Sequence, residues 1–367
     1  MISEKPIKDG RIIFSDAELK LESIEVTIKN LEKLIGDINN DLTAKEVFQA
    51  KLQVLIKDLH LEASTCLQFY DIAVFGSSMN GFRNRASDID VVVDLKQDGI
   101  EHQLWVLRNY LVHSEVFQLK QVIVNANVPL ITVRHCRTQM DCDISFATPT
   151  ICRNAVIYNT NLLKAYSNNF PEIAEGFRFF KHIINFTKFG SVRTFGLSTY
   201  THIILFIYFL THKRKPKTPF IDPKTLTLKC NQRLPNLSAA ELIIDYLRYI
   251  SCELDSSKVE LDIRSPHNIP RSSHYGSLGQ LTIPDPYIKK DLGRYMKVHQ
   301  LYHFKLFCYH LLQHLLSNAS ESVHQLNKWC SEYNVTSFEV PNFSLKCSKC
   351  FCIELIWIKS IHKHYST

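Results

Sequence analysis

Within Val74–Val93, VFGSSMNGFRNRASDIDVVV, a Gly76–Ser77 pair precedes two carboxylates, Asp88 and Asp90. Glycine lets backbone come close to an anion, and the N–H groups and hydroxyl at Ser77 suit phosphate oxygens. Positions i and i+2 of a strand share a face, so Asp88 and Asp90 are expected to point the same way. Two such carboxylates about 5 Å apart repel by roughly 3 kcal/mol at an effective dielectric of about 20. A hard divalent cation, Mg²⁺ or Mn²⁺, turns that repulsion into attraction and prefers oxygen ligands and phosphates. A lone Asp-x-Asp is more often a solvated strand edge. Here Ile89 and Val91–Val93 flank the pair with apolar residues and the Gly76–Ser77 turn precedes it, which favours a metal–phosphate site. Clamping two ions calls for a third carboxylate. The run MDCDISF supplies it: Asp143, deeper in the run, is taken as the ligand and Asp141 as its alternative.

Strands must carry these acids. Short β-branched runs at Asp71–Phe75, Asp88–Leu95, Val128–His135 and Met140–Phe146 predict four of them, with a helix over Ile100–Phe117 between. Before them, Leu21, Ile24, Ile28, Leu31 and Ile35 recur at three- and four-residue steps, and Val47–Leu61 repeats the pattern. Helical patterns return over roughly 160–210, 237–251 and 296–331, punctuated by Pro216, Pro219, Pro223 and the Ser265–Gly279 loop. The expected fold class is α+β: N-terminal helices (1–65) packing on a helical domain, a small mixed-sheet catalytic unit (66–148), the larger helical domain (149–335) and a tail (336–367).

Composition bounds the rest. The chain has 367 residues, 45% hydrophobic and 22% charged, enough for about two folded domains and unlike a disordered chain. Its 43 basic against 36 acidic residues leave a net charge of +7, compatible with an anionic partner. Eleven cysteines without framework spacing suggest reduced thiols in an intracellular compartment. The N-terminus lacks the apolar run of a secretory signal, and IILFIYFL (Ile203–Leu210) is too short to span a bilayer, so no membrane association is expected. His202 within that run is read as a core histidine.

Taken together, Gly-Ser, Asp-x-Asp and a distant Asp in a DIxF strand resemble the DNA polymerase β-like nucleotidyltransferase superfamily. The finer string GSSMNGF…SDID is similar to non-canonical poly(A) polymerases and terminal uridylyltransferases. Asn159-Thr160 with Leu162-Leu163, the helix FGLSTYTHIILFIYFL and the loop IPDPYIKKDLGR resemble further motifs of that family, in the family's order. The resemblance implies a catalytic cleft between a nucleotidyltransferase domain and a poly(A)-polymerase-associated helical domain. It implies two Mg²⁺ (or Mn²⁺) ions on Asp88, Asp90 and Asp143, ribose contact by Asn159, β/γ-phosphate binding by Lys181, triphosphate contact by Thr199 and base stacking by Tyr200. It also implies a nucleotide-recognition loop over 281–295 that contains Asp285 and Arg294. The sequence departs from the pattern at Asn185, where a second lysine is common and Lys188 is the next base, and in the longer ATPTICRNAVIY stretch.

Base choice stays open between UTP and ATP. The loop Tyr287–Asp291 lacks the histidine that disfavours adenine and is short, as in cytoplasmic poly(A) polymerases; the Arg214-Lys215-Pro216 run with Pro219 resembles poly(U) polymerases, and the reading leans to UTP. Asp285 could accept a hydrogen bond from either base. From Arg178 to Cys230 ten basic residues face one acid, Asp222, so Lys213, Arg214, Lys215 and Lys217 are expected to contact RNA backbone in a salt-dependent way. No RNA-binding module is evident, so targeting is assigned to an RNA-binding protein partner or to accessible 3′ ends, for a monomeric cytoplasmic enzyme with nuclear residence left open. Cys347, Cys350 and Cys352, with His362 and His364, are read as free thiols and histidines, metal binding being the alternative. A transferase acting on small acceptors and an inactive RNA-binding scaffold are the rival readings.

Overall fold

The computed structural model describes residues 22–40, 45–85, 87–125, 128–149, 154–190, 195–228, 238–255, 259–271, 281–318 and 320–333. Five strands form one sheet: β1 (Phe69–Phe75), β2 (Ile89–Leu95), β3 (Phe117–Ile123), β4 (Leu130–His135) and β5 (Asp141–Ala147), in the order β1-β2-β5-β4-β3. Only β2 and β5 run parallel; the other neighbours are antiparallel. The central β2 buries Ile89, Val91, Val92, Val93 and Leu95, which is why it reads as an almost unbroken apolar run. All four expected strands are present. The fifth, β3, occupies an edge, where Gln118, Lys120 and Gln121 dilute the β pattern, and the helix before it, α4 (Ile100–Leu111), stops earlier than its periodicity suggested.

The two N-terminal helices go to different places. In α1 (Glu22–Asn40) Leu31, Leu34, Ile35 and Ile38 join the core formed by the later helices. In α2 (Lys45–Ser64) Phe48, Leu52, Leu55, Leu59 and Ala63 form a stripe at three- to four-residue spacing that packs with Leu104, Leu107 and Leu111 of α4 on the sheet. The expectation that residues 1–65 pack as one unit on the helical domain is corrected accordingly: α2 is part of the sheet layer. Arg83 lies over the Phe48 ring at 3.9 Å and fastens α2 to the loop ahead of β2.

The helical domain consists of α5 (Asn154–Asn169), α6 (Pro171–Asn185), α7 (Thr199–Tyr208), α8 (Ala239–Arg248), α9 (Val298–Ser317) and α10 (Val323–Glu332) around one core. The apolar run in α7 is buried throughout, its start capped by Ser198, whose Oγ accepts from the Thr201 N–H at 3.1 Å. Among the described residues no helix is long and apolar enough to cross a membrane. His202 is a core residue: it is 0% exposed, one ring nitrogen lies 3.0 Å from the Phe189 carbonyl, and burial pulls its pKa down to about 4.

Candidate active site

The chain leaves β1 at Phe75, which pairs with Asp90, and turns at Gly76 with φ 68°. A Cβ there would strike the Asp90 Oδ2, so glycine is required both by the positive φ and by the carboxylate beside it. The Gly76 N–H donates to Thr160 Oγ1 at 2.9 Å, and that hydroxyl donates on to the Val156 carbonyl at 2.7 Å, which ties the turn to α5. Ser77 then opens the four-residue helix α3 (Ser77–Asn80).

Asp90 and Asp143 are direct register partners on the parallel strands β2 and β5, while Asp88 lies just before β2, its side chain partly open to solvent and partly packed against its neighbours. Burial, followed by the charge of Asp143, pushes Asp90 up to about 7; burial, Asp143 and Asp141 raise Asp88 as well. Thr132 donates to Asp143 Oδ1 at 2.7 Å from the other neighbouring strand. Asp141 is differently placed. Arg134 grips both its oxygens at 2.7 and 2.8 Å, Lys120 adds a third contact at 2.8 Å, and these bonds hold its pKa down to about 2. Of the two candidate third carboxylates, Asp143 therefore faces Asp90 and Asp141 is committed to two cations. Asp141→Asn is expected to lower the melting temperature only slightly, since the pair is partly solvated. Because folding lowers this carboxyl below its usual 3.8, its contribution is complete above that pH and is lost as the pH falls toward 2. Acid melts of the variant and wild type should converge there.

Among the described residues no three His, Cys, Asp or Glu side chains are already drawn into a metal-ligating arrangement. What is present is a set of hard oxygen donors with raised pKa values beside one another, and that donor chemistry fits a divalent cation.

A cavity of about 580 Å³ opens in front of Asp88 and Asp90. Of the expected residues, Gly76, Ser77, Asp88 and Asp90 line its sheet side, and Asn159, Lys181, Thr199 and Tyr200 its helical side. Lys181 is 6% exposed, donates to Ser87 Oγ at 2.7 Å, and burial lowers its pKa to about 8 against the pull of Asp90 and Asp88. Asn159 Oδ1 is buried without a hydrogen-bond partner, as a group awaiting a ligand would be, and the buried Tyr200 hydroxyl stands beside Asp285 and Asn159. Asn185, the departure from the lysine pattern, is also on the wall. Asn80, Ser87 and Thr160 also line it. All three stand within strings singled out in the sequence, GSSMNGF, SDID and Asn159-Thr160, although none of them had been given a role there. The side chain of Lys188 and the residues Cys347, Cys350 and Cys352 lie outside the described residues.

Asp143, Asp285 and Arg294 are not on the wall; Asp143 lies behind it as the register partner of Asp90. Asp285 is 3% exposed; its Oδ1 accepts from the Tyr287 and Ile288 N–H groups at 2.9 and 3.2 Å, and its Oδ2 accepts from Asn159 at 3.3 Å. It organises the loop and reaches the cavity through Asn159. The Arg294 guanidinium stacks on Tyr295 at 4.5 Å. In the basic run, Lys215 and Lys217 are exposed and Lys213 is half-buried near the Tyr208 ring. Arg214 is buried, with its Nε 3.1 Å from Asp245 Oδ2, so it is a strut within the helical domain rather than a surface cation. Arg214→Ala should destabilise the fold by about 3 kcal/mol, because Asp245 is left buried and unpaired. Lys217→Ala should leave the melting temperature unchanged while flattening the salt dependence of RNA binding.

Residues 27–168 match the family model described as the central palm domain of mitochondrial-like poly(A) RNA polymerase. Poly(A) RNA polymerase GLD2 of Xenopus tropicalis is 24% identical over 279 residues, 69% of this chain and 50% of that protein. Terminal uridylyltransferase 4 of Homo sapiens is 24% identical over 259 residues, 60% of this chain and 15% of that protein. The chain thus spans half or less of these relatives. The solved structure of Cid1 in complex with its short product ApU shares the fold, with a TM-score of 0.66 at 18% identity, covering 80% of this chain and 99% of that one. Residues 27–168 are thus similar to a poly(A) RNA polymerase palm domain, and a longer part of the chain is similar both to Poly(A) RNA polymerase GLD2 and to Terminal uridylyltransferase 4.

Proposed function

We propose that this chain is a template-independent RNA 3′-terminal nucleotidyltransferase that adds UMP. The observation that carries the reading is the Asp90–Asp143 register pair, of which Asp90 lines a cavity whose opposite wall presents Lys181, Tyr200 and the buried, unpartnered Asn159 Oδ1. Asp88, Asp90 and Asp143 would hold two Mg²⁺ or Mn²⁺ ions, which supply charge neutralisation at the reacting phosphate and an activated acceptor oxygen. Gly76 and Ser77 admit phosphate oxygens to the turn, and Lys181 and Thr199 balance the charge of the triphosphate and of the departing pyrophosphate. Asn159 orients the ribose, Tyr200 stacks under the base, and Asp285 holds Asn159 in place. Arg294 steadies the loop beside them, and Lys213, Lys215 and Lys217 hold the RNA backbone without reading sequence.

The test is extension of a short labelled RNA by the full chain with each of the four nucleotides separately, in Mg²⁺ or Mn²⁺. A ladder with UTP is the expected result. A ladder with ATP alone would make the chain a poly(A) polymerase, the reading favoured by its histidine-free recognition loop and by its likeness to Poly(A) RNA polymerase GLD2. RNA binding without incorporation of any nucleotide would overturn the enzymatic reading in favour of a scaffold. A monomer working in the cytoplasm, with targets selected by an RNA-binding partner, completes the proposal.

A further inference from the structure

Tyr158 stands beside the nucleotide cavity but is not part of its wall. It is 48% exposed on α5, next to Asn159, and its ring meets that of Tyr287 with centroids 5.4 Å apart at 40°. Tyr287 is fixed: its hydroxyl donates to the Pro223 carbonyl at 2.7 Å, its N–H donates to Asp285, and its ring packs on the helical core. The loop therefore has its own fastenings, and Tyr158 is not needed to close it. What Tyr158 adds is a broad aromatic surface in solvent, backed by a rigid neighbour whose surroundings along the chain carry exposed lysines: Lys289 two residues after Tyr287, and Lys224 next to Pro223, whose carbonyl Tyr287 holds. An aromatic face among cations is the composition of a single-strand nucleic-acid subsite, where bases stack without regard to sequence. Since Tyr158 lies off the wall of the cavity that would hold the incoming nucleotide, the base it suits belongs to the acceptor strand.

We infer that Tyr158, supported by Tyr287, is a stacking platform for a base near the 3′ end of the RNA acceptor. This rests on the function proposed above and assigns an acceptor subsite to the same cleft. It is a positioning residue, so its removal should weaken the hold on RNA and leave the nucleotide site untouched.

The experiment measures binding of a short labelled RNA to the full chain without nucleotide, then the KM for nucleotide at saturating RNA. Tyr158→Ala is expected to weaken RNA binding about 5- to 100-fold, with melting temperature and nucleotide KM unchanged. Tyr158→Phe and Tyr158→Trp should bind as wild type does. An RNA carrying abasic sites at its 3′ end should bind wild type as weakly as intact RNA binds Tyr158→Ala, and should lose nothing further on that variant. Tyr158→Ala binding within twofold of wild type would overturn the inference, as would a raised nucleotide KM with RNA affinity intact. Should wild type bind RNA yet transfer no nucleotide, the enzymatic reading alone fails and the binding comparison still decides the platform. Absence of RNA binding by wild type would sink both.

Discussion

Asp90→Asn and Asp143→Asn are each expected to reduce labelled-nucleotide incorporation by at least about a thousandfold, the scale of losing a principal electrostatic stabiliser at a reacting centre, while RNA affinity stays close to wild type. Stability should move the other way. Folding raises Asp90 from 3.8 to about 7, so the folded chain holds its proton more tightly than the unfolded one. That contribution is present below pH 3.8 and is lost as the pH climbs through 7. At pH 8, without divalent cation, Asp90→Asn removes a buried charge and should melt no lower than wild type. Adding Mn²⁺ should raise the wild-type melting temperature more at pH 8 than at pH 5.5, because a cation competes with fewer protons there, and should have little effect on either variant. Wild-type rates from both variants, or a Mn²⁺ response that survives in them, would remove the carboxylates from the chemistry.

Gly76→Ala should have the second largest effect. The methyl group meets the Asp90 carboxylate, and the backbone at φ 68° is one that a side chain resists. The strain costs about 1–2 kcal/mol, and displacement of Asp90 should lower the rate of extension by at least about a hundredfold. Gly81→Ala is the control. Gly81 has φ 85°, and its added Cβ would lie 2.5 Å from Ser167 Oγ, away from the acids. A comparable loss of melting temperature with a much smaller loss of rate is expected there. Equal rate losses in the two variants would mean that the Gly76 turn acts only through folding.

The sequence was most legible where a signal is local. The β-branched runs located β1, β2, β4 and β5, and the Gly76–Ser77 and Asp88-x-Asp90 spacing located the centre of the cavity. It was least legible where the decisive neighbour is distant along the chain. Asp141 and Asp143 share a face and look alike in sequence; they are separated by what β4 sets opposite each, Arg134 against one and Thr132 against the other. Arg214 sits in a surface-like basic run, yet Asp245, thirty-one positions later, draws it inside. Asp285 carries the charge expected of a base reader, but two backbone N–H groups of its own loop take one of its oxygens. Periodicity found both N-terminal helices and could not say which layer each would join, because the same apolar stripe packs equally well on a sheet or on other helices.

The bonds that join α5 and α6 to the sheet layer have a mechanical consequence. The Gly76 N–H donates to Thr160, Arg178 donates to the Gly81 carbonyl and Lys181 donates to Ser87, so both helices are pinned to the turn and the loop that carry the acids. Whatever disturbs one of these pins is thereby felt on both walls of the cavity at once.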